Sequence, residues 1–266
     1  MNKLIVVGSG IKSVSHISKE TQRIIQDVDK VLYLVSEPLM KAWIEQKSTS
    51  AESLEPIYYN FEKRVDAYHA ISNYIVEQHL KIKLLCVIFY GHPTVFADSA
   101  LNAVQRINNM DGDAIILPAI SAMDCLFSDL KLDPGKSGCF SIEATELLIF
   151  ERHIDNNSHF LIWQAANLGA HDGLQTTKIG VLCDYLLEYY PSKHPVCIYE
   201  ASQLPTIKHR ADWIKLDELS NADITPISTL YFPPIQNKIL SQKYLKLLEI
   251  DLENFKLSSQ PDTPSK

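Results

Sequence analysis

The order of apolar and polar positions divides the chain into short elements. Leu4–Val7 is a β-branched run ending in Gly8-Ser9-Gly10, as a buried strand does when it enters a tight turn. A polar helical stretch over Ser18–Asp27, a strand at Val31–Val35 and a short helix at Pro38–Gln46 follow. Past a polar loop, Phe61, Val65, Tyr68, Ile71 and Ile75 recur at helical spacing, which predicts a helix over Phe61–Leu80 with Asn60 as its cap. Lys83–Tyr90, the most apolar run of the first half, has the character of a central parallel strand and stops at Gly91-His92-Pro93. A helix at Ser99–Ile107 and a strand at Ala114–Leu117 continue the alternation, which predicts a mostly parallel sheet with helices on both faces.

Beyond Ile120 the pattern changes. Ser121–Leu130 reads as a helix that stops near Pro134-Gly135. Four strand candidates then crowd together, at Cys139–Ala144, His159–Gln164, Val196–Ala201 and Ser228–Phe232, with one long helix, Ile179–Tyr189, among them. Strands at that spacing predict a second, mixed sheet. The expected organisation is an N-terminal α/β domain over residues 1–118 and a C-terminal α/β domain over 119–235. A tail over 236–266 carries an amphipathic stretch, Tyr244–Leu252, and a Ser/Pro/Lys-rich end.

Composition narrows the function classes. With 266 residues and 46% hydrophobic content the chain can fill one large or two modest cores. The net charge is −7 and the basic residues are scattered, whereas a nucleic-acid surface needs a concentrated cationic face. The five cysteines form no CxxC pair and lie mostly in apolar runs, as buried reduced thiols do. The nine histidines, among them His69, His79, His171 and His194, show no HExxH or paired spacing, so no metal site is expected. The apolar start breaks at glycine too early for a signal peptide, and no run reaches membrane-span length, so the expected location is cytoplasmic.

Ligands of open parallel sheets lie beyond the carboxyl ends of the strands. Small or polar residues stand at three such ends: Gly8-Ser9-Gly10, Tyr90–Pro93 and Pro118–Ala122. Gln164 adds a polar group after Phe160–Trp163. Each alone reads as an ordinary turn, and together they read as rims of one cleft between two domains. GSG lacks the full GxGxxG spacing, Ser121 and Ser228 lack a GxSxG context, and no P-loop is present. Arg64 and Tyr68 are four residues apart on a predicted helix, so they face the same way. A guanidinium beside a phenol stabilises the phenolate and lowers its pKa towards neutrality. On the residues alone, Tyr68 reads first as part of the apolar stripe, with Arg64 reaching solvent.

The blocks YGHPTVF (Tyr90–Phe96), LPAISAMDCLFSDLKLDPG (Leu117–Gly135), LIWQAANLG (Leu161–Gly169), CIYEASQLP (Cys197–Pro205) and PISTLYFPP (Pro226–Pro234) occur in that order after VGSGI. Over roughly residues 1–235 the chain resembles the tetrapyrrole-methylase superfamily, and within it the borosin α-N-methyltransferases, which methylate backbone amides of a ribosomally made precursor peptide. The resemblance implies a two-domain α/β fold of tetrapyrrole-methylase type, a homodimer, and S-adenosyl-L-methionine bound in the cleft between the domains, leaving S-adenosyl-L-homocysteine as product. It assigns Tyr90, His92, Val95, Ala97, Ser121, Ala122, Gln164, Ala201, Ser228 and Thr229 to the cofactor. It also changes the reading of Tyr58, Arg64, Tyr68 and Tyr90, which match the Tyr–Arg–Tyr–Tyr set of the borosin enzymes. By that match Tyr68, activated by Arg64, takes the amide proton, while Tyr58 and Tyr90 hold the amide oxygen.

GSGIKSV replaces the GPGDP-like loop of ring methylases, and GHP replaces their GDP, so corrin or porphyrin chemistry is not the expected one. The sequence stops about thirty residues beyond PISTLYFPP, less than a clasp and a core peptide occupy in fused borosin proteins. The expectation is a stand-alone, split-type enzyme acting on a separate precursor, with a heterotetramer containing two precursors as its fullest assembly. The alternatives are a tetrapyrrole or other small-molecule methyltransferase, and a binding protein that keeps the cleft without the chemistry.

Overall fold

A computed structural model describes residues 2–170, 178–235 and 239–251. The chain divides into two compact units: residues 2–126, 170 and 200–210 form the first, and the remaining described residues form the second. The first unit thus runs past the expected boundary at 118 and takes back residues 200–210.

In the first unit the chain order is β1 (Lys3–Gly8), α1 (Lys19–Asp27), β2 (Lys30–Leu34), α2 (Pro38–Lys47), β3 (Ala51–Ser53), α3 (Glu55–Tyr58), α4 (Arg64–Lys81), β4 (Leu84–Phe89), α5 (Asp98–Asn109) and β5 (Asp113–Ile116). The sheet order is β3-β2-β4-β1-β5, and every pairing is parallel. Side chains alternate across its two faces. Leu4, Val6, Leu32, Leu85, Val87 and Phe89 pack with Ile71 and Ile75 of α4 and Ala100, Ala103 and Ile107 of α5. On the opposite face Val7, Val31, Tyr33, Cys86 and Ile88 pack with Ile25 of α1 and Met40 and Ile44 of α2. Both faces are thus covered, as the near-continuous apolar runs of β1 and β4 require.

The helix expected from Phe61 begins instead at Arg64, with Lys63 rather than Asn60 as N-cap. Of the apolar stripe only Ile71 and Ile75 are buried, while Val65 stays 60% exposed. The expected polar loop after α2 contains β3 and α3, which are short and largely polar and so left no periodic signal.

The divide between the units falls within α6 (Ala122–Leu130). Then follow α7 (Pro134–Ser137), β6 (Cys139–Glu143), α8 (Ala144–Ile149), β7 (His159–Trp163), α9 (Ile179–Leu187), β8 (Pro195–Glu200), β9 (Arg210–Lys215), β10 (Thr229–Phe232) and α10 (Gln242–Leu247). The sheet order is β6-β7-β10-β8-β9; β6 runs parallel to β7, and β10 runs antiparallel to β7 and β8. This is the expected mixed sheet, with α8 and β9 added. Phe160, Ile162, Val196, Ile198, Leu230 and Phe232 form its core with Leu182 and Leu186 of α9. Tyr244–Leu252 was expected to be one amphipathic stretch; α10 covers its start, and Leu252 lies outside the described residues, as does His171. Cys139 is exposed, a departure from the expectation of buried thiols, whereas Cys86, Cys125, Cys183 and Cys197 are buried and outside any disulfide.

Candidate active site

Adjacent strands β4, β1 and β5 end beside one another, so the loops that follow them share one edge of the first unit. The Gly8 strand end and the Gly91 turn are in tight contact. A Cβ on Gly8 would lie 2.1 Å from the Gly91 carbonyl oxygen and 2.6 Å from the Cβ of Ala119. Gly10 and Gly91, both at positive φ, exchange backbone hydrogen bonds of 3.2 and 3.1 Å. The loop beyond Gly10 is closed by His16, whose Nδ1 accepts from the backbone N–H groups of Ile11 and Lys12 at 3.2 and 3.1 Å.

The tyrosines stand beyond the same ends of the sheet. Tyr58 ends α3, which follows edge strand β3, and Arg64 opens α4. A cation at a helix N-terminus opposes the helix dipole, so local stability does not account for Arg64 at that position. The rings of Tyr58 and Tyr68 lie 6.2 Å apart at a tilt of 37°, and Tyr59 meets the edge of Tyr58 at 5.2 Å. Burial pushes the Tyr68 phenol above its ordinary pKa; Tyr58 pushes it further through charge and a hydrogen bond, Arg64 pulls it down, and Asp98 adds a small lift. The expected lowering towards neutrality is therefore corrected. Arg64 offsets only part of the effect of burial, and Tyr68 rests as a protonated phenol. Tyr90, just past β4, is likewise raised by burial, with a hydrogen bond from Gln203 acting in the opposite direction and Cys125 adding to the rise.

Of the residues assigned to the cofactor, Tyr90, His92, Val95, Ala97, Ser121, Ala122 and Ala201 belong to the first unit, and Gln164, Ser228 and Thr229 to the second. The His92 Nδ1 accepts from the Thr94 backbone N–H at 3.3 Å and lies 2.9 Å from its hydroxyl. Val95 is exposed, and Ala97 is the N-cap of α5. Ser121 is not within the helix as expected. It precedes α6 and pairs with Asp124: its hydroxyl and N–H both bond the carboxylate, at 2.6 and 2.7 Å, and its Oγ accepts from the Asp124 N–H at 3.2 Å. This is a reciprocal helix cap. In the second unit Gln164 adopts a left-handed backbone at φ 56°, and Ser228 accepts from the Thr225 N–H at 2.9 Å just before β10. Sequence reasoning passed over Asp124, Asp98 and Gln203. Asp124 alone had a local signal, as the third residue after a serine ahead of an apolar run.

The first unit's donor set suits S-adenosylmethionine by its chemistry: phenol, imidazole and hydroxyl groups for polar atoms, with Val95, Ala97, Ala122 and Ala201 as small apolar surface. Among the described residues no group of three or more His, Cys, Asp or Glu side chains could hold a metal ion, and no helix is long and apolar enough to cross a membrane.

A methyltransferase/ribosomally synthesized cyclic peptide gymnopeptides precursor of Gymnopus fusipes is 34% identical, the match covering 93% of this chain and 61% of that protein. A methyltransferase/type I borosin cyclic peptide precursor of Coprinopsis marcescibilis is 32% identical over 93% of this chain and 67% of its own length. The chain therefore spans about two thirds or less of these relatives. Uroporphyrin-III C-methyltransferase from Thermus thermophilus, solved with S-adenosyl homocysteine, has the same fold at a TM-score of 0.60 and 15% identity, covering 87% of this chain and 92% of that one. Residues 3–203 match the profile of the Tetrapyrrole (Corrin/Porphyrin) Methylases. The chain, with its parallel sheet followed by a mixed sheet, therefore belongs to the tetrapyrrole methylase family, with borosin-type fusion proteins among its relatives.

Proposed function

We propose that this chain transfers a methyl group from S-adenosylmethionine to a backbone amide nitrogen of a peptide. The observation that carries this reading is the Tyr58–Tyr68 pair, with Arg64 one turn before Tyr68 on α4, at the end of the sheet that also bears Tyr90. An amide nitrogen shares its lone pair with the carbonyl and is a poor nucleophile until its proton leaves. Bound S-adenosylmethionine supplies an electrophilic methyl group on a positively charged sulfonium.

Tyr68 takes the amide proton onto its phenolic oxygen. A phenol that is protonated at rest cannot accept a proton, so Tyr68 acts once ionised, and Arg64 is the side chain that favours that state. Tyr58 and Tyr90 donate hydrogen bonds to the amide oxygen as negative charge develops there, an oxyanion-stabilising role. The deprotonated nitrogen would then be the nucleophile for the methyl group that bound S-adenosylmethionine would supply, with S-adenosylhomocysteine as the leaving product.

Exposed Ile149, Phe150, Val181 and Leu187 on the second unit support a homodimer as the working assembly, since protein contacts cover such apolar surface. The four buried thiols outside any disulfide agree with a reducing, cytoplasmic location. The test is incubation with methyl-labelled S-adenosylmethionine and a peptide from the part of the Gymnopus fusipes relative that this chain does not cover. Hydrolysis to N-methyl amino acids is expected. Label on a side chain only, on a macrocyclic ring, or on no peptide overturns the proposal.

A further inference from the structure

Tyr58 closes α3, a single helical turn of four residues that follows edge strand β3. A helix this short does not sustain itself in water. Its opening residue, Glu55, precedes Pro56, and a residue before proline is biased away from helical backbone. Tertiary contacts therefore fix the turn. Buried Leu54 donates its N–H to the Tyr33 carbonyl at 2.8 Å, and Ile57 packs on the core of the first sheet. A third anchor is charged. The Glu55 carboxylate meets the Lys41 Nζ of α2 at 2.6 Å, with side chains only 22% and 28% exposed.

Lys41 stands on a fixed base. Glu37, one turn earlier, caps α2 by accepting from the Leu39 and Met40 N–H groups at 2.8 and 2.9 Å. It also accepts from the Ser13 hydroxyl at 2.6 Å, which ties α2 to the loop beyond Gly10. One turn of α2 therefore links the loop after β1 to the turn that carries Tyr58. Without Lys41, the hydrogen bond left to the Glu55 carboxylate among the described residues is one of 3.5 Å from the Ser53 hydroxyl, too long to hold it firmly.

We propose that Lys41 and Glu55 are positioning residues for methyl transfer: their ion pair holds α3 so that the Tyr58 hydroxyl meets the substrate's amide oxygen where negative charge develops. This rests on the proposed role of Tyr58. A donor stabilises a developing oxyanion best when it is already in place and nothing must reorganise during the reaction. A displacement of about 1 Å forfeits much of that effect. A single ion pair with water on one side contributes little to overall stability; here its effect falls on a turn that cannot hold its own geometry.

The test compares Lys41→Met, Glu55→Gln, Lys41→Arg, Tyr58→Phe and the double variant Lys41→Met/Tyr58→Phe in the full chain. The first readout needs no substrate. The Tyr58 ring lies 5.2 Å from that of Tyr59 and 6.2 Å from that of Tyr68, so ring currents displace its resonances. With labelled tyrosine rings, the Tyr58 signals are identified by their loss in Tyr58→Phe. They should move towards free-tyrosine values in Lys41→Met and Glu55→Gln, and stay in place in Lys41→Arg, which keeps charge and reach. The second readout is single-turnover methyl transfer to the peptide from the Gymnopus fusipes relative. Lys41→Met and Glu55→Gln should each lose about tenfold, part of the roughly 10²-fold or more that losing a whole oxyanion donor costs. S-adenosylmethionine affinity and the urea midpoint should stay near native, as should transfer by Lys41→Arg. In the Tyr58→Phe background Lys41→Met should cost nothing further. Native Tyr58 signals in Lys41→Met, or the same loss of transfer in both backgrounds, overturns the role of the pair and leaves that of Tyr58 intact. Near-native transfer by Tyr58→Phe overturns both.

Discussion

Gly8→Ala adds a single methyl group where the structure leaves no room for one. The new methyl would meet the Gly91 carbonyl oxygen at 2.1 Å, the Ala119 Cβ at 2.6 Å and the Pro93 Cδ at 2.9 Å. None of these is the free end of a flexible side chain, so the strand ends themselves must separate. Overpacking of this kind costs about 1–3 kcal/mol. Moving the Gly91 carbonyl also breaks the paired bonds between Gly10 and Gly91, at 3.2 and 3.1 Å, each worth about 1 kcal/mol. The total is about 3–5 kcal/mol, or roughly a 10 °C fall in Tm for a chain of this size. Gly180→Ala is the control: a Cβ there meets nothing within 4 Å, and the position lies in α9. It should be neutral or stabilising by about 0.5–1 kcal/mol. Urea denaturation followed by circular dichroism measures both. A Gly8→Ala variant within about 1 kcal/mol of native, or no less stable than Gly180→Ala, would refute the tight junction of the β1 and β4 loops.

Two further outcomes follow from titrating groups. His79 is buried near the end of α4, its Nδ1 without a hydrogen-bond partner among the described residues, and burial lowers its pKa despite the opposing influence of Asp113. Above the ordinary histidine range the ring is neutral folded or unfolded and nothing changes. Below about pH 6.5 the unfolded chain takes the proton first, so stability falls as pH drops towards the folded value. His79→Phe should flatten that part of the stability–pH curve, and an unchanged slope counts against burial as the cause. Tyr68 is shifted the other way, upward. With Tyr68 as the base, kcat/KM should climb about tenfold per pH unit as pH approaches 10, and a plateau reached near pH 7 contradicts a protonated resting phenol.

Much of the first unit was legible in the sequence because β1, β2 and β4 are buried on both faces and read as unbroken apolar runs. Edge strands β3 and β9 were not, since half-exposed Ala51–Ser53 and the mixed, partly exposed Arg210–Lys215 carry no such signal. The start of α4 was misjudged because Phe61 and Val65 fit the helical period while remaining exposed. At the site, the spacing of Arg64 and Tyr68 correctly put them on one helix, but spacing carries no information about burial, and burial reversed the expected direction of the Tyr68 shift. The effect of Gln203 on Tyr90 joins residues from distant parts of the chain, which no local pattern records.

The most direct test of the proposed chemistry is Tyr68→Phe, which removes one oxygen and keeps the ring that packs against Tyr58 at 6.2 Å. Single-turnover methyl transfer to the peptide should fall by about 10²–10⁴, the contribution of a positioned base, with S-adenosylmethionine affinity by calorimetry unchanged. Methyl transfer by Tyr68→Phe within a few-fold of the native rate, at intact cofactor binding, would contradict Tyr68 as the group that takes the amide proton.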